Sequence, residues 1–140
     1  MGTRSTIAFI ERRKTAVSTQ DVEYVRIYQQ FDGYLEGVGI ELAEWLSHKK
    51  IINGFGAGQT MEKGFCNGVG CMAAQFIHDF KTQIGNLYIT TNVGFEDYNY
   101  KVIVEDDKIT LEVYYWNDKL PLFTGTPKEF IEALNRGEIE

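Results

Sequence analysis

The residues best placed to do chemistry are glycines set beside acids and amides. Asp32-Gly33-Tyr34-Leu35-Glu36-Gly37-Val38-Gly39 holds three glycines in eight residues and leads into a helical pattern. Glycine admits backbone conformations closed to other residues and lets a ligand approach the main chain. A helix start adds unsatisfied N–H groups and the positive end of a dipole, which together suit an anion. Asn67-Gly68-Val69-Gly70 repeats the arrangement ahead of a second helix. Two such starts can converge on one anionic group, or each can be an ordinary loop-to-helix turn in which glycine relieves strain. No Walker-type lysine and no G-x-G-x-x-G after a strand accompanies them, and Gly54-Phe55-Gly56-Ala57-Gly58 precedes no periodic helix.

Arg4 opens the first strand, and arginine grips phosphate or carboxylate through two parallel hydrogen bonds. The expected ligand-binding set is therefore Arg4, Gln30, Asp32, Gly33, Tyr34, Gly37, Gly39, Asn67, Gly68 and Gly70. Asp32 and Glu36 also suit a carboxylate pair or a hard cation, although aspartate before glycine more commonly caps a turn. Cys66, Cys71 and His78 follow a C-x4-C-x6-H spacing, which offers zinc three ligands and no fourth. Cys71 and His78 share a helix face two turns apart, too far for a nucleophile–base pair. The expectation is no catalytic residue, no metal and no cofactor.

These residues need a scaffold. Alternation predicts strands over 4–11 and 22–31, with a basic turn at Arg12, Arg13 and Lys14. In the second strand Val25, Ile27 and Phe31 point one way, and Tyr24, Arg26, Tyr28 and Gln30 the other. Helical spacing predicts a helix over about 39–49 and another over about 69–83, whose stripe runs from Val69 to Ile84. Between them, glycines at 54, 56, 58, 64 and 68 predict a mobile loop over 53–68. Strands at about 86–92, 98–104, 108–116 and 119–123 follow. Thr126-Pro127 with Glu129 reads as the start of a closing helix.

The result is one α+β domain over residues 1–140, an antiparallel sheet with helices mainly on one face, in the order ββααβββ(β)α. The other face would carry Tyr24, Tyr28, Tyr88, Tyr114 and Trp116 beside Arg26 and Gln30. Such a face meets a ligand or another subunit, and a homo-oligomer through it is the expected assembly.

Composition bounds the partners. The chain has 140 residues and a net charge of -6, so it gains nothing from counterion release and duplex nucleic acid is not an expected partner. A local pocket can still be positive on an acidic protein. No apolar run approaches a bilayer span and no apolar segment follows Met1, so the expectation is a cytoplasmic protein with reduced thiols and no membrane partner. Gly2 and Thr6 do match the spacing of an N-myristoylation signal.

Met1-Gly2-Thr3-Arg4-Ser5, Tyr28-Gln29-Gln30-Phe31-Asp32-Gly33-Tyr34 and Gly37-x-Gly39 together resemble a group of small proteins recurring in phage and prophage genomes. Its members begin M-G-T-R and carry Q-[WF]-D-G-Y-x-x-G-x-G. The resemblance extends, more loosely, through Asn67-Gly68-x-Gly70-Cys71-x-Ala73-Ala74-Gln75 and Phe123-x-Gly125-Thr126-Pro127-x-Glu129-Phe130. Leu35, Glu36 and Val38 stand where Pro, Ser and His are frequent in the group, so no role for a histidine in that turn carries over. What the resemblance implies is a setting, the cytoplasm of a phage host. In that setting the expected function is non-enzymatic sequestration of a small anionic, nucleotide-derived immune signal, such as a cyclic nucleotide or an ADP-ribose derivative. The alternatives are inhibition of a host protein by direct contact, and hydrolysis of a phosphate ester with Asp32 or Glu36 as base.

Overall fold

Strand β1, Ser5–Lys14, is apolar on both sides: Ile7 and Phe9 point to one face, Ala8 and Ile10 to the other, and all four are buried. Such a strand belongs in the middle of a sheet, with a neighbour on each side. A computed structural model, which describes residues 3–52, 64–91 and 96–140, places it there. β2 (Thr19–Gln29) follows, then a single π-helical turn (Leu35–Gly39) running directly into α1 (Ile40–Ser47). Two short strands, β3 (Lys50–Ile52) and β4 (Phe65–Asn67), pair in parallel and precede α2 (Gly68–Phe80). β5 (Leu87–Thr90), β6 (Tyr98–Glu105), β7 (Lys108–Tyr115) and β8 (Phe123–Gly125) lead to α3 (Pro127–Asn135).

Six strands form the main sheet in the order β5-β2-β1-β6-β7-β8. The α+β class and the order of strands and helices are as the sequence predicts. The sheet is mixed, because β6 lies parallel to β1 while every other neighbouring pair is antiparallel. The parallel pair follows from the long excursion between β2 and β6, which takes in two helices and returns the chain to the starting end of β1.

The helices cover one face. Phe76 stacks on Phe80 at 4.3 Å between centroids and meets Phe9 at 5.4 Å and Trp45 at 5.6 Å. Phe130 of α3 packs edge-on against Phe123. Burial of Phe9, Phe76 and Phe130 contributes about 1.5–3 kcal/mol each. α3 begins as predicted: Glu129 N–H donates to Thr126 Oγ1 and Thr126 N–H donates back to Glu129 Oε1.

Several expectations shift, and Arg12, Arg13 and Lys14, expected as a turn, are instead the end of β1, paired with Asp21, Gln20 and Thr19. α2 stops at Phe80, whose carbonyl accepts from Asn86 Nδ2 at 2.8 Å, so Ile84 leaves the apolar stripe and is fully exposed. β2 ends at Gln29, so Phe31 lies past the strand and is exposed. Residues 65–67 of the expected loop form β4, and residues 53–63 of it lie outside the described residues. Finally, a bulge sets Val25 opposite Phe9 but Glu23 opposite Ile10, leaving Tyr24 as the extra residue. One inserted residue inverts the alternation beyond it, and Tyr24 turns to the helix-covered face, where it contacts Glu11 and Arg13.

Candidate ligand-binding site

The glycine-rich turn 32–39 sits at the starting end of β1, and four of its main-chain N–H groups, those of Gly33, Gly37, Val38 and Gly39, bond inside the chain. Gly33 N–H donates to the Thr3 carbonyl and Val38 N–H to the Asp32 carbonyl, both at 2.9 Å; Gly37 and Gly39 N–H groups donate to Tyr34. The Gly33 carbonyl accepts from the buried Tyr100 hydroxyl at 2.8 Å. The glycines are there for close packing. A β-carbon on Gly33 would stand 2.7 Å from Ser5 Cβ, and one on Gly39 3.0 Å from Phe130 Cζ. Asp32 takes the left-handed conformation itself, at φ 58. Tyr34 and Gln30 are exposed beside the turn. The Arg4 main chain joins this turn to β6, its N–H donating to Asp97 Oδ2 and its carbonyl accepting from Asp97 and Tyr98.

Asn67, Gly68 and Gly70 lie elsewhere. Gly70 faces Tyr24, and Gly68 lines a cleft of about 770 Å³ with Arg12, Arg13, Lys14 and Glu105. That is the finishing end of β1, at Lys14, nine residues on from Ser5, or about 30 Å at strand rise. The two glycine-entered starts therefore do not converge on one ligand. Within the cleft, each cation already has an acid: Arg12 holds Asp21 at 2.8 Å, Arg13 holds Glu11, and Lys14 holds Glu105 at 3.2 Å. The Arg12 hydrogen bond holds the Asp21 carboxyl below its usual range.

The open face of the sheet is different. A pocket of about 310 Å³ is lined by Arg26, Asn99, Lys101, Tyr114, Trp116, Asn117, Asp118 and Lys119. Its floor is a buried polar relay that crosses three strands. Arg26 Nη1 donates to Thr6 Oγ1 at 3.1 Å, Thr6 donates to Asn99 Oδ1, and Asn99 Nδ2 donates to the Trp116 carbonyl at 3.2 Å. Register makes this possible, since Thr6 is opposite Tyr28 on one side, two residues along the same face from Arg26, and opposite Asn99 on the other. Glu23 holds the Arg26 guanidinium through two hydrogen bonds, and the arginine is only 7% exposed.

Above the floor the chemistry is cationic and aromatic. Lys101 Nζ stands 4.7 Å from the Tyr114 ring centroid, an arrangement in which the ring face favours the cation. Burial, then a hydrogen bond to Glu112, pushes the Tyr114 phenol up to about 12, which keeps it a donor at neutral pH. Among the described residues neither Lys101 nor Lys119 is within ion-pair distance of a carboxylate. Trp116 is 43% exposed and sits at φ 55, a left-handed conformation that is a true outlier for a bulky side chain. Two hydrogen bonds hold it there: Trp116 N–H to the Asp97 carbonyl at 2.8 Å, and the Asn99 contact already described. Strain held by such over-determination marks binding surfaces more than passive turns.

Of the expected aromatic face, Tyr28, Tyr88, Tyr114 and Trp116 do lie on or beside this side, with Tyr28 and Tyr88 paired at 5.9 Å. Thr6, Asn99, Lys101 and Lys119 were not foreseen. Asn99 and Lys101, polar and two apart among the apolar and aromatic residues 98–104, were the available signal; their partners on β1 and β2 were not.

The remaining candidates do not assemble. Among the described residues no three His, Cys, Asp or Glu side chains come together to hold a metal. Cys66 is buried, donates to Gln75 Oε1 at 2.8 Å, and burial pushes its thiol up to about 11. His78 contacts Asp79, which also accepts from Trp45 Nε1. No family model, curated protein or solved structure matches the chain. No helix among the described residues is long and apolar enough to cross a membrane.

Proposed function

We propose that this chain is a non-enzymatic binder of a small anionic ligand that carries a planar ring, and that the open-face pocket is where it binds. The observation that carries the reading is the contrast in charge. Among the described residues Lys101 and Lys119 form no ion pair beside Trp116 and Tyr114, whereas the cations of the larger cleft are matched by acids. Ammonium groups take the phosphate, the aromatic rings take the base by stacking, and Asn117 supplies an amide for the base edge. A nucleotide-derived ligand satisfies all three.

Binding is favoured over turnover by the state of the acids. Glu23 is bound to Arg26 and Glu112 to Tyr114, so only Asp118 of the lining is an uncommitted carboxylate, short of the acid–base pair that phosphate-ester hydrolysis needs. The resemblance to phage-borne proteins supports a role in sequestering a nucleotide immune signal, a cyclic nucleotide or an ADP-ribose derivative, in a host cytoplasm.

Isothermal titration against a panel of cyclic mononucleotides, cyclic dinucleotides and cyclic ADP-ribose variants tests this. One class should bind with unit stoichiometry, and the ligand should be recovered unchanged after denaturation. Trp116→Ala and Lys101→Ala should each weaken binding by roughly tenfold or more. Silence across the panel would refute the reading, and recovery of a cleaved ligand would replace it with the hydrolase.

A further inference from the structure

Trp116 brings the stacking ring to the open-face pocket, and it stands at φ 55, a conformation that a bulky side chain keeps only under constraint. Part of that constraint comes from beneath. A guanidinium can only donate, so Thr6 Oγ1 accepts from Arg26 Nη1 at 3.1 Å and passes its one proton to Asn99 Oδ1. That direction fixes the Asn99 amide, whose Nδ2 then faces the Trp116 carbonyl at 3.2 Å. Thr6 itself is fully buried between β2 and β6 and does not line the pocket. Valine has nearly the same shape, and in the middle of a sheet it would bury no hydroxyl. The relay explains the hydroxyl, because it gives that group both a donor and an acceptor.

We propose that Thr6 is a positioning residue of the ligand site: acting through Asn99, it holds Trp116 in the left-handed turn. The indole, and Asn117, Asp118 and Lys119 after it, are thereby presented in the conformation the ligand needs. The inference rests on the reading of the open-face pocket as a binding site. Preorganisation is the physical gain. A chain whose binding-competent turn is only fractionally populated has its affinity lowered by that fraction. Without the Thr6 hydroxyl, Asn99 Oδ1 loses the proton that fixes its amide, and the amide can turn away from Trp116. The Trp116 N–H still donates to the Asp97 carbonyl, so the turn loosens while the sheet stays paired.

Nuclear magnetic resonance of the full chain without nucleotide reads the turn first. In Thr6→Val the Trp116 backbone shifts that report its left-handed φ should move, and its amide should lose protection from exchange by at least about tenfold. Phe130, on α3, should keep its shifts. Thr6→Ser retains the hydroxyl and should restore Trp116. Asn99→Asp breaks the same link from the other side: its carboxylate accepts from Thr6 but offers the Trp116 carbonyl no donor, so Trp116 should move again. The Thr6 variants are then titrated with cyclic AMP, cyclic di-AMP and cyclic ADP-ribose. For each that the unmodified chain binds, Thr6→Val should raise Kd about tenfold, and Thr6→Ser should stay within about twofold. Trp116 unmoved in Thr6→Val or in Asn99→Asp overturns the proposal. So does a loss that Thr6→Ser fails to restore, which would trace to the threonine methyl. Silence of all three nucleotides on the unmodified chain, with Trp116 released in both variants, would refute the binding reading and uphold the tether.

Discussion

At the scale of single residues, the glycines of the turn and Tyr100 act as one unit. Tyr100 is fully buried, its hydroxyl donates to the Gly33 carbonyl, and Gly39 leaves room for that hydroxyl. A β-carbon on Gly37 would overlap the Asp32 carbonyl, whereas one on Gly70 would make an ordinary contact with Tyr24. Chemical denaturation should therefore separate two substitutions that look alike in sequence. Gly37→Ala should cost about 1–3 kcal/mol through overpacking, while Gly70→Ala, in the first turn of α2, should be neutral or stabilising by up to about 1 kcal/mol. Equal destabilisation by both would contradict this account of the turn.

Tyr100 also sets a pH dependence. Burial raises its phenol well above the ordinary tyrosine value of 10.0, with smaller contributions from Tyr98 and Glu36. Below that value both folded and unfolded chains keep the proton, and stability is unaffected. Above it the unfolded chain releases a proton that the fold retains, so stability falls as pH rises. Tyr100→Phe should lower stability at neutral pH by about 1–3 kcal/mol, because the Gly33 carbonyl loses its donor. The same variant should show a shallower loss at alkaline pH. An unchanged alkaline slope in urea titrations would place the titrating group elsewhere.

At the scale of elements, local chemistry was legible and long-range pairing was not. The start of α3 could be read from Thr126, Pro127 and Glu129 because a cap is made of neighbours in sequence. Thr126→Ala should cost about 1 kcal/mol, measured as a drop in the denaturation midpoint at constant slope. By contrast, the turn of Tyr24 to the helix-covered face depended on a bulge that only β1 reveals, since the second strand alone alternates without a break. The end of α2 at Phe80 depended on the Asn86 amide, and helical periodicity carried on past it to Ile84. The parallel pairing of β1 with β6 joins residues more than ninety positions apart, and nothing local encodes it. The candidate site was half legible for the same reason. Arg26, Tyr114 and Trp116 were placed on the open face by alternation, but the relay through Thr6 and Asn99 exists only once three strands are side by side. The glycine-rich segments were conspicuous in sequence because tight packing and anion binding call for the same residue; only the contacts of each glycine separate the two causes.

At the scale of the whole molecule, an acidic chain concentrates two lysines without an ion pair among the described residues, and two aromatic rings, over a buried polar floor, on the face that its helices leave open. The chain has two tryptophans, and they serve as internal reporters. Trp45 is on α1, packed against Phe76 and Phe80 of α2 with its indole N–H bound to Asp79, on the opposite side of the sheet from Trp116. A two-dimensional amide and indole N–H spectrum, followed as each nucleotide of the panel is added, locates binding without altering a residue. The account predicts saturable shifts of the Trp116 indole N–H and of the Asn99 and Asn117 side-chain amides, with the Trp45 indole unmoved. Shifts confined to residues 32–39, or a spectrum unchanged by every nucleotide at millimolar concentration, would contradict it.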